Sequence, residues 1–350
     1  MFYYILKRIL LMIPTLFGVM VVTFAITQFV PGGPVEKLIG DIEGFSKGGE
    51  VSTGTMAIYQ GGAGLDSERV EHLKKLYGFD QPPIVRFFTM MKNYLSFNFG
   101  NSYYYHQSVV NLVISKMPVS MSLGFWSFLI VYGACIPLGI KKAVHDGTKF
   151  DLISSTVILV GYAVPGFVLG ILLLVFFGGG SFWSLFPLRG LVSDGWQSLS
   201  PVMKLLDYLW HMVLPIVASA FGSLAVMTML TKNSFLEEIR KQYVMTARAK
   251  GLSETQVLYK HIFRNGIIPI ITGFPGYFVA SFFTGSLLIE TIFSLDGMGL
   301  LAYQSVLNRD YPVVLGTLYF FTIIGLICRL LSDLSYVVVD PRISFEGLDA

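Results

Sequence analysis

Ser234-Phe-Leu-Glu237, Tyr243-Val-Met-Thr-Ala-Arg-Ala-Lys-Gly251 and Ser253-Glu-Thr-Gln256 follow one another inside residues 232–266, a polar stretch held between two long apolar runs. Ser234 and Glu237 have the S/T-x-x-E spacing in which a hydroxyl and a carboxylate satisfy the free N–H groups of a first helical turn. A helix begun there is expected to run through Lys250 to Gly251. Glycine accepts the left-handed conformation that closes a helix, and Lys250 suits the negative end of the dipole. Ser253 and Gln256 repeat the spacing and open a second helix toward Arg264. Two short basic arms meeting at one glycine, between membrane-crossing segments, read as a lever for something else to push.

The composition places that lever in a membrane protein. Hydrophobic residues make up 53% of the chain and charged residues 13%, outside the range of an ordinary soluble domain. A bilayer core about 30 Å thick needs roughly 20 helical residues. Segments 9–30, 119–140, 152–177, 209–231, 267–292 and 313–337 meet that requirement, giving an expected six spans. Lys7 and Arg8 precede the first, but its apolar run of about 22 residues exceeds a signal peptide's core of roughly 7–15, so it reads as a retained anchor. Cys135 and Cys328 fall inside expected spans and indicate neither a disulfide framework nor a zinc site.

Positive residues set the orientation. With the N-terminus cytoplasmic, the inner pieces hold Lys7, Arg8, Lys141, Lys142, Lys149, Lys232, Arg240, Lys241, Arg248, Lys250, Lys260, Arg264 and Arg342. The two short outer loops hold only Arg189, Lys204 and Arg309. The positive-inside rule then places both termini in the cytoplasm. The net charge of +3 reflects this bias and gives no reason to expect nucleic acid.

The expected domains are 1–30 (N-terminus and first span), 31–118 (an outer loop subdomain), 119–337 (the remaining spans, with the lever at 232–266) and a tail at 338–350. The outer loop opens with Pro31-Gly-Gly-Pro34, a turn that takes the chain out of the membrane. Residues 40–64 are rich in Gly and Ser and read as a flexible excursion. Helices are expected over 66–77 and, after Pro82-Pro83, over 84–97. Tyr103-Tyr104-Tyr105 has two readings, an interfacial anchor or a grip on a delivery protein.

Gly161, Pro165, Gly166 and Gly170 interrupt the third span, and Pro269, Gly273, Pro275 and Gly276 the fifth. Close helix packing and a bent, water-accessible path both account for them. Arg329 and Asp333 lie four apart on the last span and can pair. Glu290 is expected near an interface. Without a convincing mid-membrane carboxylate, ion coupling lacks its usual site. The sequence contains no phosphate loop and no H-E-x-x-H, so ATP-driven transport would need its ATPase on another polypeptide.

Tyr243-Val-x-Thr-Ala-Arg-Ala-Lys-Gly251-Leu252, followed by His261-x-x-Arg264-Asn265 and Pro269, resembles the cytoplasmic EAA loop of ABC-importer permeases, and within them the dipeptide/oligopeptide group. The likeness covers nearly the whole chain. It includes Leu6-Lys7-Arg8, Pro31-Gly-Gly-Pro34, Leu76-Tyr-Gly-Phe-Asp-Gln-Pro82, Phe99-Gly100-x-Ser102 and Pro118-x-Ser120. It continues in Gly285-Ser-Leu-Leu-Ile-Glu290, Phe293-Ser-x-x-Gly297-x-Gly299, Asn308-Arg-Asp-Tyr-Pro312 and Asp340-Pro-Arg342. The Gly-rich excursion and the ending Arg342-Ile-Ser-Phe-Glu-Gly347 are most similar to the YejB-type branch, linked to import of peptides and of the peptide–nucleotide antibiotic microcin C. One departure is Met245, where the general pattern has a glutamate.

The resemblance implies an all-α integral membrane protein with six transmembrane helices, a long periplasmic loop subdomain and a coupling-helix loop. The implied activity is that of a permease subunit of an importer in the bacterial inner membrane. It would move oligopeptide, muropeptide or microcin C-like cargo inward by alternating access. Implied partners are a second homologous permease subunit, ABC ATPase subunits, a periplasmic peptide-binding protein, the lipid bilayer and the peptide. Implied ATPase-docking residues are Tyr243, Thr246, Ala247, Arg248, Ala249, Gly251 and Leu252; no catalytic, cofactor or metal residues are implied. Three other classes compete. A DNA-binding helix-turn-helix lacks room for a supporting core between spans, an intramembrane enzyme lacks a nucleophile–base pair, and an ion-coupled carrier or channel would not need ATP.

Overall fold

The computed structural model of the chain describes residues 2–29, 80–179, 182–283 and 285–339. The Gly-rich excursion, the helix expected over 66–77 and the tail from residue 340 onward lie outside the described residues. Helices dominate: α1 (Phe2–Phe29), α2 (Pro83–Leu95), α3 (Val109–Val144), α4 (Lys149–Ala163) and α5 (Gly166–Leu173), which continues as a π-turn over Leu174–Gly178. Next come α6 (Pro201–Ile239), α7 (Gln242–Ala249), α8 (Glu254–Gln256), a π-turn over Val257–Ile262, and α9 (Phe263–Gly266). The rest are α10 (Ile268–Phe283), α11 (Leu287–Ile292), α12 (Met298–Leu307) and α13 (Tyr311–Val339).

Among the described residues, four helices are long and apolar enough to cross a membrane, or five with α4–α5 counted as one span bent by 91°. The protein is an all-α integral membrane protein. The bend falls at Pro165, which has no N–H to give and disfavours helical geometry in the residue before it. Gly166 explains how the bent span lies against α6, because a Cβ there would sit 2.7 Å from the Ala218 carbonyl oxygen. Packing is thus an observed role for a glycine of this span.

The fifth expected span departs from the sequence reading. α10 passes through Pro275 without breaking. Its 16 residues make about 24 Å of helix. The interruption comes beyond Phe283, before a short α11, where Gly285 takes φ +66. The six-helix count is therefore not exact, although α10 stands where the fifth crossing is expected.

The chain forms two compact units. In the first, residues 1–9, 116–301 and 323–350, Glu290 is fully buried. Its carboxylate accepts the Ser120 hydroxyl at 2.8 Å, the Leu300 N–H at 2.8 Å and the Ser286 N–H at 3.2 Å. Gly297 makes room, since a Cβ there would come within 2.6 Å of that carboxylate. Asp333 pairs with Arg8 at 3.0 Å and accepts the Tyr4 hydroxyl at 3.1 Å; the expected partner was Arg329. A neighbour on the same helix loses to a cation brought by another.

In the second unit, residues 10–115 and 302–322, rings of Tyr94, Phe99 and Tyr319 pack edge-on or tilted at 4.9–5.7 Å. Asp310, also fully buried, accepts the Ser102 hydroxyl. It further accepts the Tyr103 and Tyr104 N–H groups at 3.0 and 3.3 Å. The tyrosine triplet thus forms a turn that clasps Asp310, and Tyr105 adds a hydroxyl bond to Gln304 at 2.8 Å. Glu290→Leu, which strands two N–H groups and a hydroxyl, is expected to lower stability by about 3 kcal/mol. Glu290→Gln should cost less, and thermal unfolding in detergent checks both.

Candidate functional site

The lever differs from its sequence reading at one end and matches it at the other. α6 runs unbroken to Ile239, so Ser234 and Glu237 cap nothing. A helix already under way supplies carbonyls to the N–H groups of that turn, leaving no free donors to answer. The Ser234 hydroxyl instead donates to the Gly266 carbonyl at 2.7 Å, tying the end of α6 to α9. A short turn at Arg240-Lys241 then starts α7 without a side-chain cap.

At its other end α7 closes as expected. Gly251 takes φ +82. Its N–H bonds the Arg248 carbonyl at 2.9 Å, and the Leu252 N–H reaches the Ala247 carbonyl at 3.4 Å. These paired bonds are the Schellman closure, in which a left-handed residue lets the chain turn back over the last carbonyls. Open space surrounds the position of a Cβ on Gly251, so backbone conformation alone demands glycine there. Ser253 and Gln256 form the expected capping box, with reciprocal bonds of 3.4 and 3.2 Å.

The two arms share a core. Val244 and Ala247, three apart and therefore on one face of α7, are buried with Phe235, Val257 and Ile262. Tyr243 and Leu252 are half-buried at its margin. The Tyr243 hydroxyl donates to Glu238 at 2.6 Å and accepts from the Asn265 side chain at 3.2 Å, linking the end of α6, α7 and α9. Burial, followed by the bond to Glu238, holds the Tyr243 phenol above its usual pKa. The bond from Lys241 to Glu238 raises the lysine likewise. Across the elbow, Arg248 grips Glu254 with two bonds of 2.9 and 3.0 Å.

The seven sequence-expected residues therefore divide. Thr246, Arg248, Ala249 and Gly251 are exposed, Ala247 lies inside the joint, and Tyr243 and Leu252 edge it. Met245 is 64% exposed, an apolar side chain where the general pattern has a carboxylate.

Sequence reasoning missed what stands behind the elbow. Lys142, counted only as an orientation signal, is fully buried and lies 3.0 Å from Asp151. Lys232 bridges Asp151 at 2.7 Å and Asp146 at 3.0 Å, and Arg240 reaches Asp146 at 3.4 Å. Lys142 also donates to the Asp151 carbonyl and to the hydroxyls of Ser154 and Ser155 at 2.7–3.0 Å. The one available signal was Thr148-x-x-Asp151, the start of α4, where the Thr148 hydroxyl accepts the Asp151 N–H. The arrangement is a cluster of paired charges that ties α3 and α4 to the end of α6.

Residues 135–345 match the family described as binding-protein-dependent transport system inner membrane component. The chain is 53% identical to the peptidoglycan transport system permease protein YejB of Agrobacterium fabrum, over 99% of each chain. It is 51% identical to the inner membrane ABC transporter permease protein YejB of Escherichia coli O157:H7, over 98% of this chain and 99% of that one. Identity to the dipeptide transport system permease protein DppB of Bacillus subtilis is 32%, over 98% of each. A chain of the inward-facing MetNI methionine ABC transporter shares the fold at TM-score 0.50 and 16% identity, covering 66% of this chain and 97% of that one. A bent, helical membrane unit with a braced elbow and full-length likeness to such permeases leads to one conclusion: the chain belongs to the binding-protein-dependent transport system inner membrane components, the permease family of ABC transporters.

Proposed function

We propose that this chain is one half of the pathway of an ATP-driven importer of the bacterial inner membrane, carrying peptides from periplasm to cytoplasm by alternating access. The observation that carries the reading is the elbow, a stiff helix closed at Gly251 with one face packed inward and the other free. ATP hydrolysis belongs to partner ATPase subunits, and α7 is the part of this chain they hold. Met245, Thr246 and Ala249 supply the contact surface, while Tyr243, Ala247, Arg248, Gly251 and Leu252 set its angle. A second, homologous permease subunit completes the pathway, and a periplasmic binding protein delivers the cargo. Peptide cargo, muropeptide fragments among it, is supported by the names of similar relatives, which speak of peptidoglycan and dipeptide transport; microcin C-like conjugates are proposed from the sequence resemblance alone. Both termini are assigned to the cytoplasm because lysines and arginines gather around the elbow and near residue 8.

One observation speaks for an ion-coupled carrier instead, the fully buried Glu290. Its oxygens, however, are already answered by a hydroxyl and two backbone N–H groups, as in a structural cap. Reconstituted with its partners in liposomes, the chain is expected to support uptake that needs ATP and survives collapse of the ion gradients. Uptake driven by a gradient without ATP would refute the importer reading.

The two parts of the elbow should respond differently to substitution. Gly251→Val forces a β-branched residue to positive φ, a strain of about 1–3 kcal/mol. Uptake per ATP hydrolysed is expected to fall about tenfold, an energy of roughly 1.4 kcal/mol. Ala247→Arg puts a charge into the buried joint and should abolish co-purification of the ATPase. Met245→Lys leaves the joint intact, so it should weaken co-purification without lowering thermal stability.

A further inference from the structure

Behind the elbow, in the first unit, lies a cluster of ion pairs. We infer that Lys142, Asp151 and Lys232, with Asp146 and Arg240 at the rim, are positioning residues that make the α3–α4 turn travel with the end of α6, passing the push on α7 to the bent span. The inference rests on the importer reading above and adds the route by which the elbow reaches the membrane.

Placement comes first. Lys232 lies two turns before the end of α6, and Arg240 sits in the joint between α6 and α7. Of their carboxylate partners, Asp146 belongs to the turn between α3 and α4 and Asp151 to α4 itself. Asp151 is in the first turn of α4, the leading half of the span that bends at Pro165. Whatever displaces Arg240 and Lys232 therefore draws directly on the base of that span.

Energetics support a mechanical role. Taking ions out of water is expensive, and well-packed apolar residues of similar volume are often as stable or more so. Three cations and two carboxylates in one place are thus a poor device for stability alone. What they supply is a fixed register. Asp151 receives a lysine from α3 and another from α6 on opposite oxygens, at 3.0 and 2.7 Å, and the Gly147 N–H at 3.2 Å. Lys142 is further held by two serine hydroxyls of α4. Apolar helix surfaces slide past one another by 1–2 Å in conformational change. A two-sided charge clamp resists that slip, because moving breaks several bonds between buried charges at once.

The test uses the importer assembled with its partner subunits in liposomes. Asp151→Asn removes the charge with little change of shape. A second variant, Lys142→Met/Asp151→Leu/Lys232→Met, replaces the clamp by apolar packing and leaves no buried charge unpaired. Both are expected to assemble and hydrolyse ATP while uptake per ATP falls about tenfold, within the usual span of coupling energies. Either variant assembling with uptake per ATP within about twofold of the parent, below the smallest usual coupling of about fivefold, would overturn the inference. A third measurement leaves the clamp intact: spin labels on Lys149→Cys and Glu237→Cys, with Cys135 and Cys328 replaced by alanine. The label separation should stay fixed through the nucleotide cycle, and a change of about 5 Å, one helical turn of slip, would overturn the clamp even if neither variant assembled. A parent assembly without ATP-driven uptake would refute the importer reading itself. A coupled parent with coupled variants would refute only the clamp.

Discussion

A helix end in an apolar surrounding leaves backbone N–H groups that no water can reach, and something must accept them. This chain meets that constraint repeatedly with carboxylates. Glu290 takes the N–H groups of Ser286 and Leu300, and Asp310 those of Tyr103 and Tyr104. Each fixes a turn that is neither helix nor strand. The packing of the long helices depends on these turns, since they set where one helix stops and in which direction the next departs.

The constraint also explains how the family-like motifs of the sequence fit together. Phe99-Gly100-x-Ser102 and Asn308-Arg-Asp-Tyr-Pro312 meet through Ser102 and Asp310 within the second unit. Pro118-x-Ser120, the Gly285–Glu290 run and Gly297-x-Gly299 meet around one carboxylate within the first. Motifs that look like scattered marks along the chain are halves of shared turns. Their glycines serve close approach, as at Gly297, or an otherwise forbidden turn, as at Gly251.

Legibility in the sequence followed how local the cause was. The helix expected over 84–97 is α2, a residue or two out of register. The bend at Pro165, the closure at Gly251 and the Ser253 box were readable, because each depends on neighbours in sequence. The box at Ser234 failed because a helix was already in progress, which only the length of α6 reveals. Pro275 looked like a breaker but passes within α10, whereas the real interruption follows Phe283. Ala247 was readable as part of the lever but not as its interior, since that depends on Phe235 and Ile262. Lys142 and Lys232 were legible as charge and illegible as a clamp, for charge counting is blind to burial.

The bond between Arg8 and Asp333 joins two residues made far apart in synthesis. Tyr4 and Asp333 are separated by 329 positions. At the usual pace of about 5–20 residues per second, α1 waits roughly 16 to 66 s for the helix that completes this clasp. During that interval Arg8 must be held by water or lipid headgroups at the edge of the bilayer, so the opening helix enters as a provisional anchor. Its final seat is settled only when α13 arrives.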